Sequence, residues 1–229
     1  DQNGSVLPLV DPAAVGDLVV VEGESSERAT LADRLLAGEK LNGSRPPTAE
    51  EAVEKVLALI PEGSTVGVPG SSTIRELGLF ETLRARGCKI LEHWDPALAP
   101  EDKLQRLEDE NTSGIYLSSS NGVTLDGKLV NIDGTGNRVA AMAWARNRII
   151  FVVGINKISR DVETAIQRIR DVATPLNAIS KGVELPCVKT GFCVDCRVPN
   201  RYCRATLVLE RNPMGREAHV IIVGTNLGY

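Results

Sequence analysis

The order of apolar and polar positions divides the chain near residue 48. Beyond that point, helical and strand periods alternate. Thr48 and Glu51 form a capping box, in which each side chain satisfies the other's orphan backbone amide. Ala52, Val53, Val56, Leu57 and Ile60 then recur at helical spacing until Pro61. Residues 65–68 read as a short buried strand, followed by the small-residue loop Pro69-Gly70-Ser71-Ser72-Thr73 and a helix over 74–86 stopped by Gly87. Residues 88–94 read as the next strand and 101–110 as a charged, solvated helix.

The chain is organised around residues 114–148. A strand over 114–117 leads into a polar bend over 118–122 and a short hairpin turning at Asp126-Gly127, a dipeptide suited to the type I′ turn. The glycine-rich run Asn131-Ile132-Asp133-Gly134-Thr135-Gly136-Asn137-Arg138 then opens an almost charge-free helix over 139–145, expected to be buried against a sheet. A strand over 149–153 follows. A helix over 160–173 carries Val162, Ala165, Ile166, Ile169 and Val172 on one face, with Pro175 terminating it. Residues 207–210 and 220–223 read as a closing β-hairpin around Asn212-Pro213-Met214-Gly215. Residues 1–47 are less regular: a strand over 17–21, a helix over 25–36 and a linker rich in Gly and Pro over 38–47. The expected organisation is thus an N-terminal segment with its linker, 1–47, and one domain, 48–229.

This alternation implies an α/β fold with a parallel-rich, three-layer sheet covered by helices on both faces. In such sheets ligands sit beyond the carboxyl ends of the strands, where both small-residue loops fall. Gly134, Thr135, Gly136 and Asn137 occupy a helix start whose free amides attract phosphate or carboxylate, and Gly70, Ser71, Ser72 and Thr73 repeat the arrangement. A tight turn with a serine cap gives the same pattern. Arg138 can bond an anion in bidentate fashion or cap the sheet edge. Lys157, at a strand end, touches the same cleft or lies on the surface. Asp133 and Glu76 are candidates for a catalytic base or nucleophile, with helix capping and arginine pairing as the alternative roles. His93 and His219 fall in strand patterns without a nucleophile motif, so packing is expected of both.

With 229 residues and 42% hydrophobic content, the chain can build one sizeable core. A net charge of -4 and only three Phe, three Tyr and two Trp argue against a nucleic-acid surface. No apolar run approaches the ~20 residues needed to span a bilayer. The expectation is a soluble, cytosolic protein with no nucleotide cofactor.

The tail differs in chemistry. Cys187, Cys193, Cys196 and Cys203, four of the five cysteines, are spaced C-x5-C-x2-C-x6-C within 186–204. A pair two residues apart can direct both sulfurs at one metal ion, and Lys189, Arg197, Arg201 and Arg204 lie close enough in sequence to favour thiolates. Zinc and an iron-sulfur cluster both suit four cysteines, and the spacing matches neither common ferredoxin pattern. Disulfides and unliganded thiols are the alternatives. Cys88 reads as a core residue.

Several motifs in order carry a family resemblance: the run from Gly70 to Gly78, Ser120-Asn121-Gly122-Val123-Thr124, the run from Asp133 to Ala140, Val153-Gly154-Ile155-Asn156-Lys157-Ile158, Pro175-Leu176-Asn177-Ala178, the cysteine segment and the final Val223-Gly224-Thr225-Asn226-Leu227-Gly228-Tyr229. Over about residues 48–229 the chain resembles the LUD domain family of lactate utilization proteins; residues 1–47 depart from it. The resemblance implies a fold similar to the ribose-phosphate isomerase, glucosamine-phosphate deaminase and CoA-transferase group. It adds Asn121 to the ligand-binding positions. It also implies work beside iron-sulfur partner subunits that oxidise L-lactate or a related hydroxy acid, and a possible homodimer. A metabolite-binding regulator with structural zinc, and an isomerase or acyl transferase acting on a sugar phosphate or CoA ester, are the competing readings.

Overall fold

The computed structural model describes residues 47–144 and 148–229. The strand and helix expected within 17–36, and nearly all of the linker, lie outside the described residues. In chain order the elements are α1 (Ala49–Leu59), β1 (Thr65–Gly67), α2 (Ser72–Glu76), α3 (Leu79–Ala85), β2 (Lys89–Leu91), α4 (Lys103–Thr112), β3 (Ile115–Ser118), β4 (Gly122–Thr124), β5 (Leu129–Asp133), α5 (Asn137–Trp144), β6 (Arg148–Gly154), β7 (Ile158–Ser159), α6 (Val162–Arg168), α7 (Thr174–Ser180), α8 (Pro186–Thr190), β8 (Ala205–Leu209) and β9 (Ala218–Val223).

The expected capping box forms. The Glu51 amide donates to Thr48 Oγ1 at 3.3 Å, and the Thr48 amide donates to Glu51 Oε2 at 2.8 Å. The helix so started lays Ala52 and Val56 on a parallel sheet of order β2-β1-β3-β6-β9. Alternate residues of each inner strand point to opposite faces, and both faces are buried. Ile115, Leu117, Ile150 and Val152 pack under α1, α2 and α3; Tyr116, Ile149, Phe151 and Val153 pack on the other side.

The parallel-rich α/β expectation holds, but much of the second face is covered by another sheet, of order β7-β4-β5-β8. Val123 and Leu129 of that sheet reach the main core, whereas Val130 and Ile132 point outward onto Ala165, Ile169 and Ala173. The hairpin expected at Asp126-Gly127 joins β4 to β5, but not through a type I′ turn: the Gly127 amide donates to the Thr124 carbonyl at 2.9 Å, and Gly127, at φ +86°, takes the left-handed conformation that Asp126 does not.

Other expectations are corrected. The helix over 74–86 breaks at Gly78, whose φ of +63° is left-handed, giving α2 and α3. The strand over 88–94 ends at Leu91, releasing His93 and Trp94 into the following loop. The charge-free helix α5 is not enclosed: Ala141 and Met142 are buried, but Trp144 is 78% exposed. Pro175 does not end its helix. A π turn over Ile169–Ala173 widens the backbone just before the proline, and α7 continues from Thr174.

The closing hairpin is absent. β8 pairs antiparallel with β5 in the second sheet, and β9 pairs parallel with β6 in the first. Every residue of β9 is buried, as a strand covered on both faces requires, while β8 is partly exposed and suits an edge. Among the described residues no helix is long and apolar enough to cross a membrane.

Candidate functional site

In the parallel sheet of order β2-β1-β3-β6-β9, β1 continues outward to β2 and β3 continues the other way to β6, so the loops leaving these two neighbours run in opposite directions. That switch point opens a crevice beyond the carboxyl ends of the strands. Here it forms a cavity of about 380 Å³. Gly70, Ser71, Ser72 and Thr73 line it from the loop after β1, and Asn121 lines it from the bend after β3. Asp133, Gly134, Thr135, Asn137 and Arg138 come from the β5–α5 turn, and Lys157 from the end of β6. The structure therefore gathers most of the expected positions. Gly136 and Glu76 are not on the wall; Glu76 is exposed, and its Oε2 accepts from the Gly228 amide at 2.7 Å.

Lys157 is only 4% exposed, and its Nζ donates to Thr73 Oγ1 at 2.8 Å and Ser119 Oγ at 3.1 Å. Burial, assisted by Arg168 and Arg138 and opposed by Glu76, lowers its pKa to about 7. The amine is thus poised between charged and neutral forms near neutral pH.

Asp133 serves its own helix start. Its Oδ1 accepts from the Gly134 amide at 2.8 Å, and its Oδ2 accepts from the Arg138 and Val139 amides at 2.9 and 3.4 Å. Burial opposes ionisation, but Arg138 and these three amides outweigh it and hold the carboxyl below its ordinary range. The amides expected to receive a ligand are thus partly filled by the protein's own carboxylate. Asn121 is also engaged: its Oδ1 accepts from the Ile132 amide at 3.1 Å. Asn137 differs, for its buried Nδ2 has no hydrogen-bond partner among the described residues.

Lys103, Lys181, His93, Trp94, Asn177 and Tyr202 also line the wall without having been expected there. Two ammonium groups lie near the Trp94 ring, Lys103 at 5.0 Å and Lys181 at 4.4 Å from its centroid. Burial, then Arg138, lowers the pKa of Lys181. No local pattern marks these lysines, because they arrive on separate helices. His93 was legible in principle: it follows the carboxyl end of β2, where ligand-facing residues of a parallel sheet collect.

Gly70 is required beneath that indole. At φ +65° it is left-handed, and a Cβ there would overlap Trp94 Nε1. Gly70→Ala is expected to displace Trp94 and to cost about 1–3 kcal/mol, by overpacking and backbone strain. Thermal unfolding and Trp fluorescence would show this; an unchanged melting temperature and emission spectrum would contradict it.

The four clustered cysteines meet around a second, small cavity of about 20 Å³. Cys187, Cys193, Cys196 and Cys203 line it with Arg170, Arg201, Thr174 and Tyr202. Arg201 organises the loop by donating to the carbonyls of Cys196 and Cys203, each at 2.7 Å, and to Asp195 Oδ1 at 2.8 Å. Burial and the three neighbouring thiols raise the pKa of Cys187. Of the other basic residues expected to favour thiolates, Lys189 instead pairs with Glu184, and Arg204 donates to the Arg201 carbonyl. Among the described residues, no three His, Cys, Asp or Glu groups stand in a metal-holding arrangement. The donor set itself suits a soft metal: four thiols share a wall that carries no carboxylate and two guanidinium groups. Cys88 is buried in the core as expected.

A model of the LUD domain family matches residues 38–223. A search of curated proteins returns no match. Among solved structures, the translation initiation factor eIF-2B of Pyrococcus horikoshii OT3 is similar at 16% identity and a TM-score of 0.35, over 50% of this chain and 48% of that one. The beta subunit of eIF2B from Chaetomium thermophilum matches at 14% identity and 0.35, over 49% and 43%. A DUF162 family protein from Deinococcus radiodurans matches at 12% identity and 0.31, over 77% and 99%. The matched region thus spans about half the length of either initiation factor chain.

Proposed function

The chain belongs to the LUD domain family, and from that premise we propose that it is a lactate utilization protein that binds a small carboxylate- or phosphate-bearing metabolite in the large cavity. It works beside iron-sulfur partner subunits that oxidise L-lactate or a related hydroxy acid. The observation that carries the reading is the charge of the wall: Lys103, Arg138, Lys157 and Lys181 face one acid, Asp133, which is itself held by three amides. A concave site with that balance favours anions. Arg138, whose Nη2 already donates to the Ile132 carbonyl at 2.7 Å, supplies its remaining N–H groups, Lys157 a charge that returns when an anion arrives, and Asn137 Nδ2 a donor with no partner among the described residues.

A thermal-shift and NMR screen of L-lactate, pyruvate, inorganic phosphate and a sugar phosphate tests this half. The carboxylates are expected to raise the melting temperature of the native protein and to do so weakly in Arg138→Met. Preference for a sugar phosphate would instead favour an isomerase-like role, and no response to any of them would remove the reading.

The second half concerns the cysteine segment, which in this reading holds an iron-sulfur cluster on Cys187, Cys193, Cys196 and Cys203. Such a cluster supplies one-electron transfer when bound. Arg170 and Arg201 would balance the thiolate charge. Thr174 and Tyr202 line both cavities, so only a thin partition of side chains lies between the two sites. Protein purified without oxygen is expected to contain iron and inorganic sulfide and to absorb in the visible, and Cys196→Ser is expected to lose both. Zinc lost in the same variant would make the segment a structural cross-link. Absence of both metals would refute metal binding by the segment and leave the anion cavity standing.

A further inference from the structure

His93 and Glu110 form a pair that anion binding does not use. β2 ends at Leu91, so His93 leaves the sheet at its carboxyl edge and joins the wall of the large cavity. Its Nδ1 lies 2.9 and 3.1 Å from the two oxygens of Glu110. Glu110 sits in the last turn of α4 and has no exposed surface. A carboxylate is costly to bury without a partner, and an isolated packing role would be served as well by an apolar residue.

The pairing fixes the imidazole chemically. With the Glu110 carboxylate accepting from Nδ1–H, the neutral ring carries its lone pair on Nε2, at the ring edge turned away from Glu110. Burial raises the pKa of Glu110, and its hydrogen bond to His93 opposes the rise. A base whose tautomer and orientation are held by a buried carboxylate, beside a cavity rich in cations, is an arrangement for proton transfer next to a developing oxyanion.

We infer that His93, positioned by Glu110, is a general acid–base that moves a proton on the carbon adjacent to the carbonyl of a small oxo-carboxylate bound in the cavity. The inference rests on the anion-binding reading above. Nε2 takes the proton from that carbon, the C–H electron pair becomes the C=C bond of an enolate, and the carbonyl π pair moves onto oxygen. Lys157 and Arg138 are the cations available to stabilise that oxygen. Return of the proton from Nε2–H to carbon restores the carbonyl, and nothing else is consumed. His93 is the catalytic residue; Glu110 is a positioning residue.

The test follows pyruvate in D₂O with the full chain, recording loss of the methyl proton signal by NMR and binding by calorimetry on the same samples. Native protein is expected to accelerate exchange above buffer. His93→Gln should lower the rate about 100-fold or more while binding pyruvate within a few-fold of native. Glu110→Gln should lower the rate less and change the nitrogen-15 shifts of the His93 ring, which are resolvable because the chain has two histidines. That signature also serves if His93→Gln fails to fold. Binding of pyruvate without exchange above buffer, or native exchange rates in His93→Gln, would overturn the dyad and leave the anion site intact. Failure of pyruvate, L-lactate and phosphate all to bind would overturn both.

Discussion

Lys157→Met is expected to weaken anion binding while raising the melting temperature at pH 7. The native amine has its folded pKa lowered to about 7 from an ordinary 10.5. Between those values the unfolded chain binds more protons than the folded one, so stability rises as pH increases from about 7 toward 10.5, and the cost of burying the charge is present in full below pH 7. That cost is on the order of a few kcal/mol. Methionine removes it, at the loss of two hydrogen bonds to Thr73 and Ser119 worth about 1 kcal/mol each. The melting temperature should therefore rise at pH 7 and gain little or fall at pH 10. Affinity for a carboxylate should drop about 10- to 100-fold, the loss of one charge-assisted contact. Equal destabilisation at both pH values would contradict this account of Lys157.

Asp133→Asn carries the second large effect, and it falls on stability. The native carboxylate accepts from three amides and lies 3.5 Å from the Arg138 guanidinium. An amide keeps one acceptor oxygen, turns an NH₂ toward the N–H groups and removes the ion pair. The cost is about 2–4 kcal/mol by urea titration. The sign with pH is opposite to that of Lys157. The folded pKa lies below the ordinary 3.8, so the native contribution is complete above that value and is lost as pH falls through the folded pKa. The gap between native and variant should therefore narrow below pH 4. A variant of undiminished stability that has lost turnover would instead make Asp133 the catalytic base.

What the sequence disclosed depended on how local the signal was. The Thr48–Glu51 box, the hairpin at Asp126-Gly127 and the loop from Gly70 to Thr73 are written in consecutive residues, and the structure has all three. The destination of β9 is not local. Its apolar residues fit a hairpin with β8 as well as a place beside β6, and burial on both faces decided between them. Pro175 misled because a proline stops a regular α-helix, whereas a π turn upstream lets the chain continue. The site shows the same division. The loops and Lys157 could be placed by the strand-end rule, but Lys103, Lys181 and the buried Glu110 depend on how separate helices pack.

The central claim is that the large cavity takes a small anion that restores the charge on Lys157. Calorimetric titration of pyruvate and L-lactate at pH 8, in two buffers of different ionisation enthalpy, tests it most directly. The account predicts binding with uptake approaching one proton per anion, weakening as pH rises above about 7, and both features lost in Lys157→Met. Binding without proton uptake, unchanged in that variant, or no binding of either carboxylate at millimolar concentration, would contradict it.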